Sequence, residues 1–268
     1  MFGGTRLVIG GVRLARGSHY VCRFSEGGTD VAETAAHNDG VVGCDTPAGV
    51  EGSLTISVSL NAQQYTNTSL SFYRYAPPSL YALSPASGPT GGATVVTVSG
   101  NASLRAVNYS EPRCRFGVGG QLNGTFTSWW GMRCIAPANV QTGVLEVSLN
   151  AQQFTRSELQ YEAYEPPTLV GVHPSLGPSG GATNLTLRTT TFTGTGTDVR
   201  CRFENVNVST TEVAARIEPA RTFACTTPSL NSAAYSLRVS LNGQQFSNDL
   251  RFSSLTPPHA SSVYPLSG

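Results

Sequence analysis

Apolar and polar positions alternate with a period of two over much of the chain. In Leu145, Val147 and Leu149 the side chains fall on one face while Glu146, Ser148 and Asn150 fall on the other. Ile56, Val58, Leu60 and Leu237, Val239, Leu241 repeat the pattern. That period belongs to half-buried strands, because successive side chains of an extended chain point to opposite faces of a sheet. Glycine, proline and asparagine clusters break the runs every ten residues or so, and no segment of helical length carries a 3.6 period. The predicted elements are short antiparallel strands. Asn242-Gly243, between Leu241 and Phe246, predicts a two-residue hairpin with positive φ at both turn positions, and Asn61-Ala62 and Asn150-Ala151 are weaker versions of it.

The strands recur as a unit. Cys22-Arg23-Phe24 returns as Cys114-Arg115-Phe116 and as Cys201-Arg202-Phe203, and a second cysteine (Cys44, Cys134, Cys225) follows each, three residues before a proline. Val58 to Tyr65 returns as Val147 to Phe154 and Val239 to Phe246, and each unit closes on a double proline, Pro77-Pro78, Pro166-Pro167 and Pro257-Pro258. The period is roughly 90 residues. About seven short strands per unit without helices predict a small antiparallel sandwich of immunoglobulin type. Ser84 to Gly92 has a counterpart in His173 to Gly181; Gly3-Gly4-Thr5 matches the end of that segment and Tyr264 to Gly268 its beginning, so the chain reads as a window on a longer array. The units are 1–75, with its first strand truncated, 76–164, 165–255, and 256–268 as the start of a fourth.

Ser87 to Gly92, Cys225 to Pro228 and Val239 to Phe246 together resemble the IPT/TIG domain, the immunoglobulin-like module of plexins, growth-factor-type receptors, fibrocystin-like proteins and some transcription factors. The resemblance covers essentially the whole chain, three times over. It implies an all-β chain of tandem sandwiches arranged as a rod, and says little of function, which sits in sites grafted onto a fold. The immunoglobulin core tryptophan has no counterpart in every repeat: Trp129 and Trp130 occur only in the middle one. Being adjacent, one of them faces the core and the other the surface, where it packs under a loop or anchors a partner or a sugar.

Charged residues make up 12% of the chain, about half the usual share. The net charge is +1 and all 17 basic residues are arginine, which removes the positive excess that a nucleic-acid backbone requires. A surface so poor in charge is either covered, for instance by sugars, or packed against neighbours. No run approaches the roughly 18 apolar residues of a membrane helix, so no membrane contact is expected within this segment. The cysteines form one pair per repeat, Cys22 with Cys44, Cys114 with Cys134 and Cys201 with Cys225, the even arithmetic of a disulfide framework; a buried pair of free thiols is the alternative. Zinc is disfavoured, since His19, His37, His173 and His259 do not recur with the cysteines. Asparagine sequons stand at Asn67, Asn101, Asn108, Asn123, Asn184 and Asn207, against roughly three expected by chance. Thr189 to Thr197 is a candidate O-glycosylated loop or a polar hairpin. Paired cysteines, sequons and low charge all point to the secretory route and an extracellular or cell-surface location.

No nucleophile elbow, phosphate loop, zinc-protease motif or dinucleotide fingerprint occurs, and no cofactor or catalysis is expected. Glu26, Asp30, Glu33 and Asp39 could hold calcium, yet the other repeats lack counterparts, which favours a solvated loop. Arg23, Arg115 and Arg202, each between an inward cysteine and an inward phenylalanine, should point outward to solvent, a carboxylate, a ring or a partner. Two function readings follow. In the first, rigid repeats with proline-stiffened linkers build or decorate a mastigoneme-like or glycocalyx-like fibre, with other copies as partners. In the second they are the stalk of a receptor or adhesion ectodomain, with cell-surface proteins or glycans as partners. A transcription-factor reading is disfavoured by the lack of lysine and the cysteine pair in every repeat.

Overall fold

The computed structural model describes residues 3–101, 111–128, 131–190, 192–193 and 196–265. Asn108, Trp129, Trp130, three positions of the Thr189 to Thr197 run and Leu266 to Gly268 lie outside the described residues. Three β-sandwiches follow one another. In the first, a sheet of Arg6–Gly10, Val41–Asp45 and Ala36–Asn38 packs on one of Thr29–Thr34, Val21–Glu26, Gly52–Ser59 and Leu70–Arg74. In the second, Thr125–Ser128, Gly131–Ile135, Val95–Gly100 and Leu80–Ser84 pack on Leu122–Asn123, Arg113–Phe116, Gly143–Ser148, Gln160–Tyr164 and Ser87–Pro89. The third differs because Ser209–Glu218 is one continuous strand. It pairs with Arg200–Asn205 as far as Ala214 and with Thr222–Thr226 from Ala215 onward, so one strand serves both sheets.

Register explains the sequence pattern. Cys22 sits opposite Val58 and Phe24 opposite Ile56; Cys114 and Cys201 face Val147 and Val239 in the same way. Leu145, Val147, Leu149, Leu237, Val239 and Leu241 are accordingly buried. Cys22 is bridged to Cys44, Cys114 to Cys134 and Cys201 to Cys225, with Cα separations of 6.4, 6.0 and 6.5 Å. Each bridge ties one sheet to the other through the middle of a core, and closing a loop of about 20 residues contributes about 3 kcal/mol in the chain-entropy picture.

Three expectations need correction. The sheets are not wholly antiparallel: Ser87–Pro89 runs parallel to Gln160–Tyr164, and Leu176–Pro178 parallel to Leu250–Leu255. The Asn-Gly and Asn-Ala pairs are not two-residue hairpins. Only the second residue has positive φ (Ala62 62°, Ala151 60°, Gly243 72°), and the strands rejoin only at the Ser59–Tyr65 and Ser148–Phe154 bridges. Finally, Ser148 does not face solvent. It is buried, as are Ser59 and Ser240, because the returning chain re-pairs beside it, Thr66, Thr155 and Ser247 donating their N–H to the carbonyls of Val58, Val147 and Val239.

Candidate functional site

The most regular chemistry in the molecule lies in the Asn-Ala/Gly-Gln-Gln loops and the surfaces they touch. In each loop the asparagine carboxamide replaces the missing turn bonds. Asn61 Oδ1 accepts the N–H groups of Gln63 and Gln64, both at 3.1 Å, and Asn61 Nδ2 donates to Gln64 Oε1 at 2.6 Å. Asn150 does the same for Gln152 and Gln153, and Asn242 for Gln244 and Gln245. Asparagine suits this role because its side chain mimics a backbone turn while leaving the chain direction free. The two glutamines are thereby held outward with both amide groups presented together.

Two of the three loops dock on the preceding repeat. Gln152 takes the N–H of Arg6 at 2.7 Å and donates to the Arg6 carbonyl at 3.0 Å, while Gln153 donates to the Gly4 carbonyl at 3.1 Å and accepts from Thr5 Oγ1 at 3.1 Å. The next joint repeats this atom for atom. Gln244 takes the N–H of Val95 and donates to its carbonyl, each at 2.9 Å; Gln245 donates to the Ala93 carbonyl at 3.1 Å and accepts from Thr94 Oγ1 at 2.9 Å. The second joint also engages Asn242, whose Nδ2 donates to the Ser87 carbonyl at 3.2 Å. A carboxamide that pairs with both the N–H and the C=O of one residue copies a sheet ladder, so Gln152 and Gln244 extend the strand edges they meet.

A tyrosine completes each joint. Tyr75 and Tyr164 stand two residues before the double prolines, yet pack into the cores of the second and third repeats respectively. Tyr164 is 2% exposed. Burial pushes the Tyr75 phenol up to about 12 and raises that of Tyr164 as well, so both are neutral anchors throughout the physiological range.

The repeated arginines are not merely solvated. Arg23, Arg115 and Arg202 each lie over the ring that follows the loop glutamines, Tyr65, Phe154 and Phe246, at 4.1, 4.2 and 3.5 Å from the centroid. Each also meets a carboxylate: Asp30 at 3.8 Å, Glu146 at 2.5 Å and Glu212 at 2.7 Å. Such a stack contributes roughly 0.5 to 1 kcal/mol at a half-exposed site, and it pins the far end of the docking loop. Sequence reasoning missed the glutamines and the linker tyrosines. The available signal was that Gln-Gln is identical in all three repeats, whereas solvent-facing turn positions drift.

Asn67, Asn123, Asn184 and Asn207 are exposed and Asn101 is half-buried. Asn123 accepts from Arg113, Asn184 from Thr226 Oγ1 at 2.9 Å, and Asn101 from the Ser79 N–H at 3.2 Å. Among the four carboxylates weighed for calcium, Glu26 pairs with Arg74 and Asp30 with Arg23. No cluster of three or more His, Cys, Asp or Glu occurs among the described residues.

Comparison with known proteins agrees with this architecture. The IPT/TIG domain family matches residues 1–75, 78–163 and 167–254. Plexin-A2 of Mus musculus is 28% identical over 255 residues, an alignment that takes in 86% of this chain but only 12% of plexin-A2. Among solved structures, the full extracellular region of plexin A4 is matched at 14% identity and a TM-score of 0.46, over 98% of this chain and 28% of that one. A tetra-tandem repeat from the extending region of a large adhesion protein is matched at 13% identity and a TM-score of 0.25, over 94% of this chain and 69% of that one. With three consecutive family matches spanning nearly its whole length, the chain belongs to the IPT/TIG domain family.

Proposed function

We propose that these three repeats are a non-enzymatic spacer in the extracellular region of a receptor or adhesion protein. The observation that carries this reading is the recurrence of one joint. The same two glutamines meet the same strand edge at both boundaries, which fixes the angle between neighbouring sandwiches as a spacer requires. A bridged pair in every repeat suits an oxidising compartment, and the similarity to plexin-A2 favours a receptor stalk over a fibre or coat. Partners at the cell surface, proteins or glycans, then belong to other parts of the full protein. The exposed Asn67, Asn123, Asn184 and Asn207 are the acceptors we assign to N-glycans, and Asn101, which is half-buried, is a poorer one.

The test is antibody access on intact cells expressing the full-length protein, with the antibody raised against these repeats. Staining without permeabilisation, together with a mass decrease on treatment with an N-glycosidase, is the expected result. Staining that requires permeabilisation would overturn the reading.

A further inference from the structure

On the outer face of the third repeat two like charges stand opposite each other. Arg202 of Arg200–Asn205 pairs in register with Arg238 of Ala233–Ser240, where the first repeat sets Arg23 against Ser57 and the second sets Arg115 against Glu146. Like charges in that position destabilise a sheet. Arg202 is neutralised by Glu212 at 2.7 Å and stacks on Phe246. Arg238 has no such relief. It is half-buried, its Nε is shut off from solvent without a hydrogen-bond partner, and among the described residues no carboxylate pairs with it. A buried donor left open costs stability, so this arginine answers to something outside the protein's own side chains.

Arg238 lines an open groove of about 420 Å³ together with Glu204, Asn207, Ser236, Asp249 and Arg251. That is the size of a small-ligand site. The two arginines supply only donors and the two carboxylates only acceptors, and their charges cancel. Such a lining fits a neutral occupant rich in hydroxyl and amide groups better than a sulfated or phosphorylated one. Ser236 Oγ donates to Asp249 Oδ2 at 3.0 Å, while the side chains of Glu204 and Arg251 make no hydrogen bond or ion pair among the described residues.

Asn207, the acceptor of an Asn-Val-Ser sequon, belongs to the turn at 205–208. Asn205 fixes that turn against the neighbouring strand: its Oδ1 accepts the Asn207 N–H at 2.9 Å and its Nδ2 donates to the Ala234 carbonyl at 2.7 Å. The Asn207 side chain is exposed and makes no hydrogen bond, so a sugar attached there starts beside the groove. The sister repeats have neither half of this arrangement. Their turns at the same place hold Gly27-Gly28 and Gly117-Val118-Gly119-Gly120, and Ser71 and Gln160 replace Arg251. Docking of one repeat on the next does not cover this corner of the sandwich, since Val118 and Gln160 of the second repeat stay exposed with the third in place.

We propose that the N-glycan of Asn207 folds back into this groove, its two core N-acetylglucosamine residues accepting hydrogen bonds from Arg238 and Arg251 and donating to Glu204 and Asp249. The inference rests on the reading that Asn207 carries an N-glycan. The chain's own glycan is the occupant because its attachment point is part of the lining, which gives it an effective concentration of roughly 1 mM or more over any free sugar. The docked sugar supplies the partner that the fold withholds from Arg238.

Endoglycosidase H, which cuts between those two sugars, tests this on the full-length protein made in cells whose glycans stop at the oligomannose stage. Under native conditions, site-resolved mass spectrometry should find the Asn207 glycan cut about tenfold more slowly than those at the other occupied sequons, the ratio expected when the undocked state is about a tenth of the population. After denaturation all sites should be cut alike. Arg238→Ser with Arg251→Ser installs the residues that the first repeat already carries at Ser57 and Ser71. It should bring the Asn207 rate up to that of the other sites and leave theirs unchanged. Equal native rates in wild type, or slow cutting that persists in the double variant, would overturn the proposal. An unoccupied Asn207 beside occupied Asn67 or Asn123 would also overturn it while leaving the spacer reading intact, whose own failure shows instead as staining that requires permeabilisation.

Discussion

The first and third repeats fill the same end of the sandwich in opposite ways. In the third, Leu230, two residues after Pro228, is buried in the core, and Ser254, three residues before the double proline as Arg74 is in the first, is small and buried. In the first repeat the sizes are exchanged. Gly49, two residues after Pro47, leaves room for Arg74, which is 4% exposed; a Cβ on Gly49 would lie 2.3 Å from Arg74 Nη2. Arg74 pairs with Glu26 at 2.5 Å and donates to the carbonyls of Val50 and Pro47. One fold thus accepts either a leucine or an ion-paired arginine here. The arginine works because Glu26 is still 38% exposed on its side chain, so only one of the two charges is fully taken from water.

Arg74→Ala should have the largest effect. It removes the packed stem and strands two carbonyls, and should destabilise the first repeat by about 3 kcal/mol. Hydrogen exchange should then accelerate in Gly52–Ser59 and stay unchanged in Ala233–Ser240. Leu230→Ala should do the reverse, at about 2 kcal/mol, accelerating exchange in Ala233–Ser240 alone. The smallest effect is expected from the exchange itself. Gly49→Leu combined with Arg74→Ser copies the third repeat into the first, lets Glu26 return to water, and should cost about 1 kcal/mol by chemical denaturation. A double variant no better than Arg74→Ala would show that the two ends are not equivalent.

Much of the fold was legible because its signals are local and repeated three times. Period two placed Val147 and Val239 inside, and the Cys-Arg-Phe triplets marked the strands opposite them. The joints were not legible, for a physical reason. Gln152 and Gln244 bind backbone atoms of residues about 150 positions away, at Arg6 and Val95, and a backbone partner leaves no trace in side-chain pattern. A polar pair after an asparagine reads as a solvated turn until its partner is seen. The Asn-Gly turn failed similarly, because the Asn242 carboxamide bonds the loop itself and makes a second positive φ unnecessary. Alternation puts Tyr164 on the face opposite Tyr161, with Gln160 and Glu162, so its burial in the core of the next repeat was not legible either.

That last point bears on how such a chain can be divided. Tyr164 ends a strand of the second repeat but is a core residue of the third. A fragment cut at the double proline, beginning at Pro166, would look complete by its strand count and its cysteine bridge, yet it would open a hole the size of a tyrosine in its own interior. Repeats of this kind are better dissected a few residues upstream of the prolines, so that each keeps the side chain its predecessor lends it.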